Sequence, residues 1–76
     1  MNPLKLELVN ALVCGVHTSA GVHVGNLKLI GGAWKFKAIG LDASGHVVPG
    51  GGPLTEHHNR VFAVLSEATI NAALMV

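Results

Sequence analysis

The stretch from Gly50 to Arg60, Gly-Gly-Gly-Pro-Leu-Thr-Glu-His-His-Asn-Arg, carries most of the side chains in this sequence that are able to do chemistry. Consecutive glycines let backbone N–H groups converge on an anion, and hydroxyl, imidazole, amide and guanidinium groups can donate hydrogen bonds to one. The candidate residues for binding a partner or an anion are Gly50, Gly51, Gly52, Thr55, His57, His58, Asn59 and Arg60. No Gly-Lys-Ser/Thr follows the glycines, so the stretch is not a P-loop. A plain connecting loop is the simpler interpretation, because turn chemistry alone collects such residues.

Acid–base catalysis is a second interpretation of the same stretch. Glu56 beside His57 and His58 has the residue types of a small hydrolase. Catalysis also requires a nucleophile or a water molecule held in a concave site. The hydroxyl side chains are better explained as turn and cap residues, namely Ser44, Thr55 and Ser66. We therefore expect a protein that is not an enzyme and keep the hydrolase as an alternative.

Five histidines, at positions 17, 23, 46, 57 and 58, raise the question of whether the chain forms a metal site. A zinc site needs three or four ligands that converge on the ion, usually with one closely spaced pair. His57 and His58 are adjacent, and on a strand they would point to opposite faces. The sequence therefore predicts no metal site and no cofactor.

Four cations are candidates for weak, salt-sensitive binding of RNA or DNA: Lys28, Lys35, Lys37 and Arg60. The formal net charge is only +1, which does not favour a polyanion-binding protein. Trp34 and Phe36 are expected on the opposite face of the sheet from the lysines, so the aromatic platform for stacked bases is missing. The simpler interpretation is that the lysines discourage pairing between sheet edges.

A predicted hairpin at Gly31-Gly32 positions these lysines. A two-residue turn fixes the register, which pairs Ile30 with Ala33, Leu29 with Trp34, Lys28 with Lys35 and Leu27 with Phe36. The sheltered face then carries the large apolar members of these pairs, Leu27, Leu29, Trp34 and Phe36. The opposite face carries Lys28, Lys35 and Lys37. Alternation and turn chemistry thus select the same register independently.

The first segment, Leu4 to Val16, fits two structures. Asn2 and Pro3 suit the start of a helix, and an apolar stripe follows at spacings of three and four, ending at Gly15. The residues from Leu4 to Leu8 also alternate like a half-buried strand. The helix explains both ends of the segment, so we favour it.

Turn signals divide the middle of the chain. Thr18 and Asp42 are each followed three residues later by glycine, which is typical of a type I turn with glycine in the left-handed region. Strands are expected over 22–30, 33–41 and 46–48. A bulge or break is expected at Gly25-Asn26 in the first of them.

The last segment also has two interpretations. A single helix from Thr55 to Met75 would carry a good apolar stripe. The alternative is a strand over 60–65 and a helix over 67–75, with Ser66 as the helix cap and Glu67 in its first turn. We favour the strand and helix because a start signal at Ser66 is unexpected within one continuous helix.

These elements predict one α+β domain over residues 1–76, with an antiparallel meander of three to five strands, possible closure into a partly open small barrel, and a C-terminal helix. Half of the residues are apolar and 12% are charged, so much of the surface must be apolar. Such surface is usually covered by a second copy or a partner, and we expect a homo-oligomer with a protein partner. The single Cys14 cannot form an internal disulfide, and we expect it to be a small buried hydrophobe.

No apolar run is long enough for a transmembrane helix, and the first residues do not resemble a signal peptide. We therefore expect a cytoplasmic protein without membrane contact. The leading hypothesis is a non-enzymatic interaction module that self-associates and presents its glycine-rich loop to a partner. RNA or DNA binding and the small hydrolase are the alternatives.

Overall fold

The computed structural model of the protein describes residues 3–74. Its strands are β1 (Lys5–Asn10), β2 (Val13–His17), β3 (His23–Ile30), β4 (Ala33–Leu41), β5 (Val47–Pro49) and β6 (Val61–Phe62). A 3-10 helix covers Thr55–His57, and the α-helix α1 covers Glu67–Leu74. The sheet has the order β1-β2-β3-β4-β5, with β6 also paired to β4, and each of these pairs is antiparallel. This confirms an α+β meander with a C-terminal helix, and the sheet is open rather than a closed barrel.

The hairpin at Gly31-Gly32 has the predicted register in every pair. Leu27 and Phe36 are opposite each other and fully buried, whereas Lys28 on the other face is exposed. Trp34 is half-buried on the sheltered face. Both glycines have positive φ, 58° and 81°, which the turn requires and which a residue with a Cβ rarely adopts.

The predicted N-terminal helix is wrong, because residues 4–16 form β1, a tight turn and β2. Asn10 closes the turn by accepting a hydrogen bond from the backbone N–H of Leu12 at 2.8 Å. Leu4 and Leu6 lie toward the core, whereas Leu8 and Leu12 of the supposed helical stripe are exposed. Alternation was therefore the informative pattern, and the signals for the two ends of a helix were not.

The predicted glycine turns are confirmed at both sites. The N–H of Gly21 donates to the Thr18 carbonyl at 2.9 Å, and that of Gly45 donates to the Asp42 carbonyl at 3.0 Å. Both glycines have positive φ, 87° and 85°. The irregularity expected at Gly25-Asn26 lies one residue earlier, because the register between β2 and β3 shifts around Val24.

Strand followed by helix is confirmed for the last segment, and the single long helix is wrong. The strand is shorter than predicted, since only Val61–Phe62 pair with β4. Ser66 caps α1, because its Oγ accepts the N–H of Thr69 at 3.3 Å. The predicted end of the helix at Met75 lies outside the described residues.

The core lies between the sheltered face of the sheet and α1. Its buried residues are Leu4, Cys14, Val16, Val24, Leu27, Phe36, Ala38, Phe62, Ile70 and Leu74. The amide of Asn71 fixes the helix to the sheet by accepting the N–H of Leu4 at 2.6 Å and donating to the Leu4 carbonyl at 3.0 Å. Glu67 accepts the N–H of Leu6 at 3.3 Å. Within residues 3–74, no helix has the length and apolar composition needed to cross a membrane.

Candidate functional site

The Gly50–Arg60 loop connects two strands that pair with the same edge of β4. β5 pairs with Ile39 to Leu41, and β6 pairs with Trp34 and Lys35. The loop therefore leaves this edge and returns to it, and it passes the three residues from Phe36 to Ala38 that neither strand covers.

Hydrogen bonds from the loop fill that gap. The N–H of Gly50 donates to the Ala38 carbonyl at 2.7 Å, and the N–H of Ala38 donates to Nδ1 of His58 at 3.1 Å. Asn59 donates its N–H to the Phe36 carbonyl, and the N–H of Phe36 donates to the Arg60 carbonyl, both at 2.7 Å. An imidazole thus takes the place of a backbone carbonyl in the hydrogen-bonding edge of β4.

The glycines of the loop are required by close backbone packing. A Cβ on Gly52 would overlap the Ile39 carbonyl oxygen and lie 2.9 Å from the Gly40 Cα. A Cβ on Gly40 would lie 2.5 Å from the Gly52 nitrogen. The N–H groups of Gly50 and Gly51 are also used within the fold, since they donate to the carbonyls of Ala38 and Val48. These two N–H groups are therefore already committed, and an anion would depend mainly on the side chains of the loop.

Those side chains are partly engaged with one another and with β4. The Thr55 hydroxyl donates to the Gly50 carbonyl at 2.6 Å, and Arg60 Nη1 donates to His57 Nδ1 at 3.3 Å. Lys37 Nζ donates to Asn59 Oδ1, which links the candidate loop to a candidate lysine. The side chains of Thr55, Asn59 and Arg60 are exposed, and His57 is half-buried.

The catalytic alternative has its residues close in sequence but not joined by hydrogen bonds. Glu56 is exposed, and no hydrogen bond within residues 3–74 connects it to His57 or His58. Two surface grooves, of about 340 and 540 Å³, border the turn from Thr18 to Gly21 instead. None of the three catalytic candidates lines either groove. The hydrolase remains a prediction, and neither of these two grooves supplies the concave site that it requires.

The lysines share the outer face of the sheet as the register requires. Lys28 and Lys35 are direct partners across β3 and β4, and Lys37 lies two residues further along β4. Trp34 and Phe36 belong to the opposite face. The basic patch therefore has no aromatic side chain from these two positions on which a base could stack.

A histidine pair on the outer face was missed by the sequence reasoning. His17 and His23 are cross-strand partners whose rings stack with centroids 4.6 Å apart. His23 Nε2 lies 2.8 Å from Asn26 Oδ1. The signal was present, because pairing across the predicted turn at Thr18 brings these two residues together. No group of three or more metal-binding side chains occurs in the part of the chain that the structure describes.

Two side chains have altered acidity. Burial raises the pKa of the Cys14 thiol, which is only 1% exposed, so this cysteine is the small buried hydrophobe that was predicted. The pKa of Asp42 is lowered, chiefly because the N–H of His46 donates to its carboxylate at 2.9 Å, and the N–H of Ser44 adds a second bond at 2.8 Å. This carboxylate stabilises the turn it begins.

One end of the molecule is apolar and carries no charge. It consists of residues 8–13, 29–34 and 61–66, and we call it the apolar end. The first two segments meet where the N–H of Leu29 donates to the Leu12 carbonyl at 2.8 Å, and the third is paired to the second through Phe62 and Trp34. Its exposed large side chains are Leu8, Val9, Leu12, Ile30, Val61, Val64 and Leu65.

Comparison with protein families, with curated proteins and with solved structures found no match for the chain. Inferences about function therefore depend on the residues and contacts of this chain alone.

Proposed function

We propose that this protein is a non-enzymatic interaction module that self-associates through the apolar end and presents the Gly50–Arg60 loop to a partner. The observation that carries the proposal is the exposure of large apolar side chains in a region with no charged residue. Leu8, Val9 and Leu12 are 61%, 65% and 58% exposed. Contiguous apolar surface of this kind is typical of sites that a partner covers.

A second copy of the chain is the occupant that the charge pattern favours. A two-fold contact brings the same surface patch of both copies together, so like charges within that patch would repel one another. The apolar end contains none. Such a contact is therefore stabilised by burial of apolar surface without like-charge repulsion.

The edge of β1 adds a second supporting feature. Leu4 and Leu6 direct their N–H groups away from β2 and donate them to side chains of α1. Strand alternation directs the N–H of Leu8 to the same edge, beyond Glu67, where α1 begins. An edge strand with unpaired N–H and carbonyl groups is a template for pairing with another chain.

The proposed presentation of the Gly50–Arg60 loop to a partner depends on the anchored backbone of this loop. Because its hydrogen bonds to β4 hold the backbone, the exposed side chains of Thr55, Asn59 and Arg60 project from fixed positions. The Asn59 amide and the Arg60 guanidinium keep N–H donors, whereas the Thr55 hydroxyl already donates to Gly50. Preorganised donors lose little conformational entropy when they bind. A partner that offers an acidic group would suit them.

Sedimentation over a wide range of concentration tests self-association. We expect masses above the 7.8 kDa of one chain for the wild type, and the 7.8 kDa mass for Val9→Lys combined with Leu12→Lys. The matched control is Leu41→Lys combined with Val47→Lys, at positions 63% and 57% exposed near the other end of β4. This control keeps the wild-type mass. A wild type that stays monomeric at every concentration contradicts the proposal.

A further inference from the structure

We propose that His58 is a pH-sensitive latch, and that protonation of its imidazole releases the Gly50–Arg60 loop from β4. The release itself is independent of the proposed function, whereas its effect on partner binding rests on that function. The observation behind the inference is the hydrogen bond from the backbone N–H of Ala38 to His58 Nδ1, 3.1 Å long.

This hydrogen bond fixes the state of the ring. A backbone N–H can only donate, so Nδ1 must present its lone pair, and the neutral ring carries its proton on Nε2. An imidazolium has an N–H on both nitrogens and accepts no hydrogen bond. Protonation would therefore set the Nδ1 proton of His58 against the N–H of Ala38 and remove the acceptor from the edge of β4.

The ring also connects the two ends of the loop. Gly50 donates its N–H to the Ala38 carbonyl and packs against the His58 ring, with Nε2 3.4 Å from the position a Cβ would occupy. Thr55 donates its hydroxyl to the Gly50 carbonyl. Loss of the His58 contact therefore loosens the start of the loop at Gly50 as well as its end.

The surrounding charges do not compensate for the proton. The charged and titratable side chains on the elements around His58 are Lys35 and Lys37 on β4 and Glu56, His57 and Arg60 in the loop, while β5 has none. Three of these are permanent cations in the physiological range, and Glu56 makes no hydrogen bond to His58 within residues 3–74. An added positive charge on the ring therefore gains no hydrogen-bonded carboxylate partner among these side chains.

The direction of the effect follows from the lost acceptor. The loop is held where the imidazole is neutral and is released where it is protonated, so a fall in pH favours release. The measurements cover about pH 5 to pH 8, where histidine is the side chain that ordinarily changes charge. Asn10, Asp42 and Ser66 close other turns and caps through oxygen acceptors. These turns and caps should therefore keep their hydrogen bonds, and a change at the stacked His17–His23 pair would be seen on β2 and β3 instead.

Amide hydrogen exchange by NMR tests the latch, with each rate divided by its intrinsic value at the same pH. We expect protection of the Ala38 and Gly50 amides to fall about tenfold when His58 is protonated, as loss of one hydrogen bond implies. The amide of Leu29, which donates to Leu12, keeps its protection. Unchanged protection of Ala38 and Gly50 across this range overturns the inference.

Two variants distinguish the presence of a hydrogen-bond acceptor at position 58 from the protonation of that acceptor. His58→Asn keeps an oxygen acceptor near the Nδ1 position but cannot be protonated, so protection at Ala38 should become independent of pH. His57→Asn removes the other imidazole of the loop, whose Nδ1 accepts from Arg60, and the pH response at Ala38 should persist in it. A pH response that persists in His58→Asn contradicts the latch.

The wild-type protein supplies a measurement that needs no variant. The nitrogen chemical shifts of the neutral His58 ring should show the proton on Nε2, and a proton on Nδ1 would refute the inference even if a variant failed to fold. Repeating the amide hydrogen-exchange measurements on the variant with Val9→Lys and Leu12→Lys distinguishes the latch from self-association. A monomeric wild type contradicts self-association only. The latch is then tested by the amide protection of Ala38 and Gly50 and by the nitrogen shifts of the His58 ring.

Discussion

At Gly52 two requirements meet in one residue, a φ of 85° and a backbone contact too close for any side chain. A run of three glycines in sequence indicates freedom of the backbone. In the structure, one of them must be glycine for steric reasons, because Gly52 lies directly against Ile39 and Gly40 of β4. The flexibility that the run suggests is replaced by close packing.

Gly52→Ala should therefore destabilise the protein more than a glycine substitution at equal φ. Gly45 is the matched control, since its φ is also 85° and a Cβ there would meet no atom within 4 Å. Gly45→Ala is expected to cost about 1–2 kcal/mol for the left-handed backbone alone. Gly52→Ala adds the displacement of the loop from β4. Urea unfolding of both variants measures the difference, and equal losses would show that the close contact contributes nothing.

The lowered pKa of Asp42 predicts that the free energy of unfolding depends on pH. Its pKa is lowered in the folded chain, chiefly by the N–H of His46, so its charge contributes stability that is fully present above the pKa of the unfolded chain. That contribution is lost as the pH falls through the lowered, folded-state pKa. Asp42→Asn keeps an oxygen acceptor without the charge. The variant should be less stable than the wild type at neutral pH, and the difference should vanish in acid.

Urea unfolding at a series of pH values checks this prediction, with Glu56→Gln as the control. Glu56 is an exposed carboxylate, and the pH dependence should survive its substitution. A stability difference between wild type and Asp42→Asn that stays constant down to strong acid would be the contrary result.

Among the secondary-structure elements, α1 depends on one side chain for its position over the sheet. Asn71 both accepts from and donates to the backbone of Leu4, across 67 residues of sequence. Asn71→Ala should cost about 1–3 kcal/mol, because the Leu4 N–H next to a buried side chain loses its acceptor. Thermal or urea unfolding measures the loss. Thr69→Ala, on the exposed side of α1, is the control and should change stability little.

The first two strands arise from a segment whose local patterns disagree. Alternation from Leu4 to Leu8 and the helix-like ends of the segment gave opposite answers, and no local rule ranks them. Packing decides the outcome, because β1 pairs with β2 and receives α1 along its outer edge. A helix in this segment would replace β1 and most of β2, and it would leave the edge of β3 without its partner.

For the molecule as a whole, the position of the charges separates the two binding hypotheses. Association through the uncharged apolar end should weaken little with added salt, since few ions are released. Binding of RNA or DNA by Lys28, Lys35 and Lys37 would weaken steeply with salt. Sedimentation and retention on a polyanion column, each measured at several salt concentrations, check this. Association that disappears at moderate salt would contradict the apolar contact.

The sequence by itself determined the central hairpin, its register, the two glycine turns and the strand–helix order at the C-terminus. These features follow from short-range rules, namely two-residue turns, alternation and capping, which act between residues near one another in the chain. It also located the Gly50–Arg60 loop as the chemically richest stretch, although what that stretch binds remains a prediction.

Only the tertiary structure decided which groups of that loop are already used. The contacts of His58 with Ala38 and of Gly52 with Ile39 and Gly40 join residues that are distant in sequence, and they exist because β5 and β6 share one edge of β4. The apolar end likewise appears only when three separate uncharged segments are brought together. Long-range pairing sets these neighbours, and no local pattern in a single sequence records it.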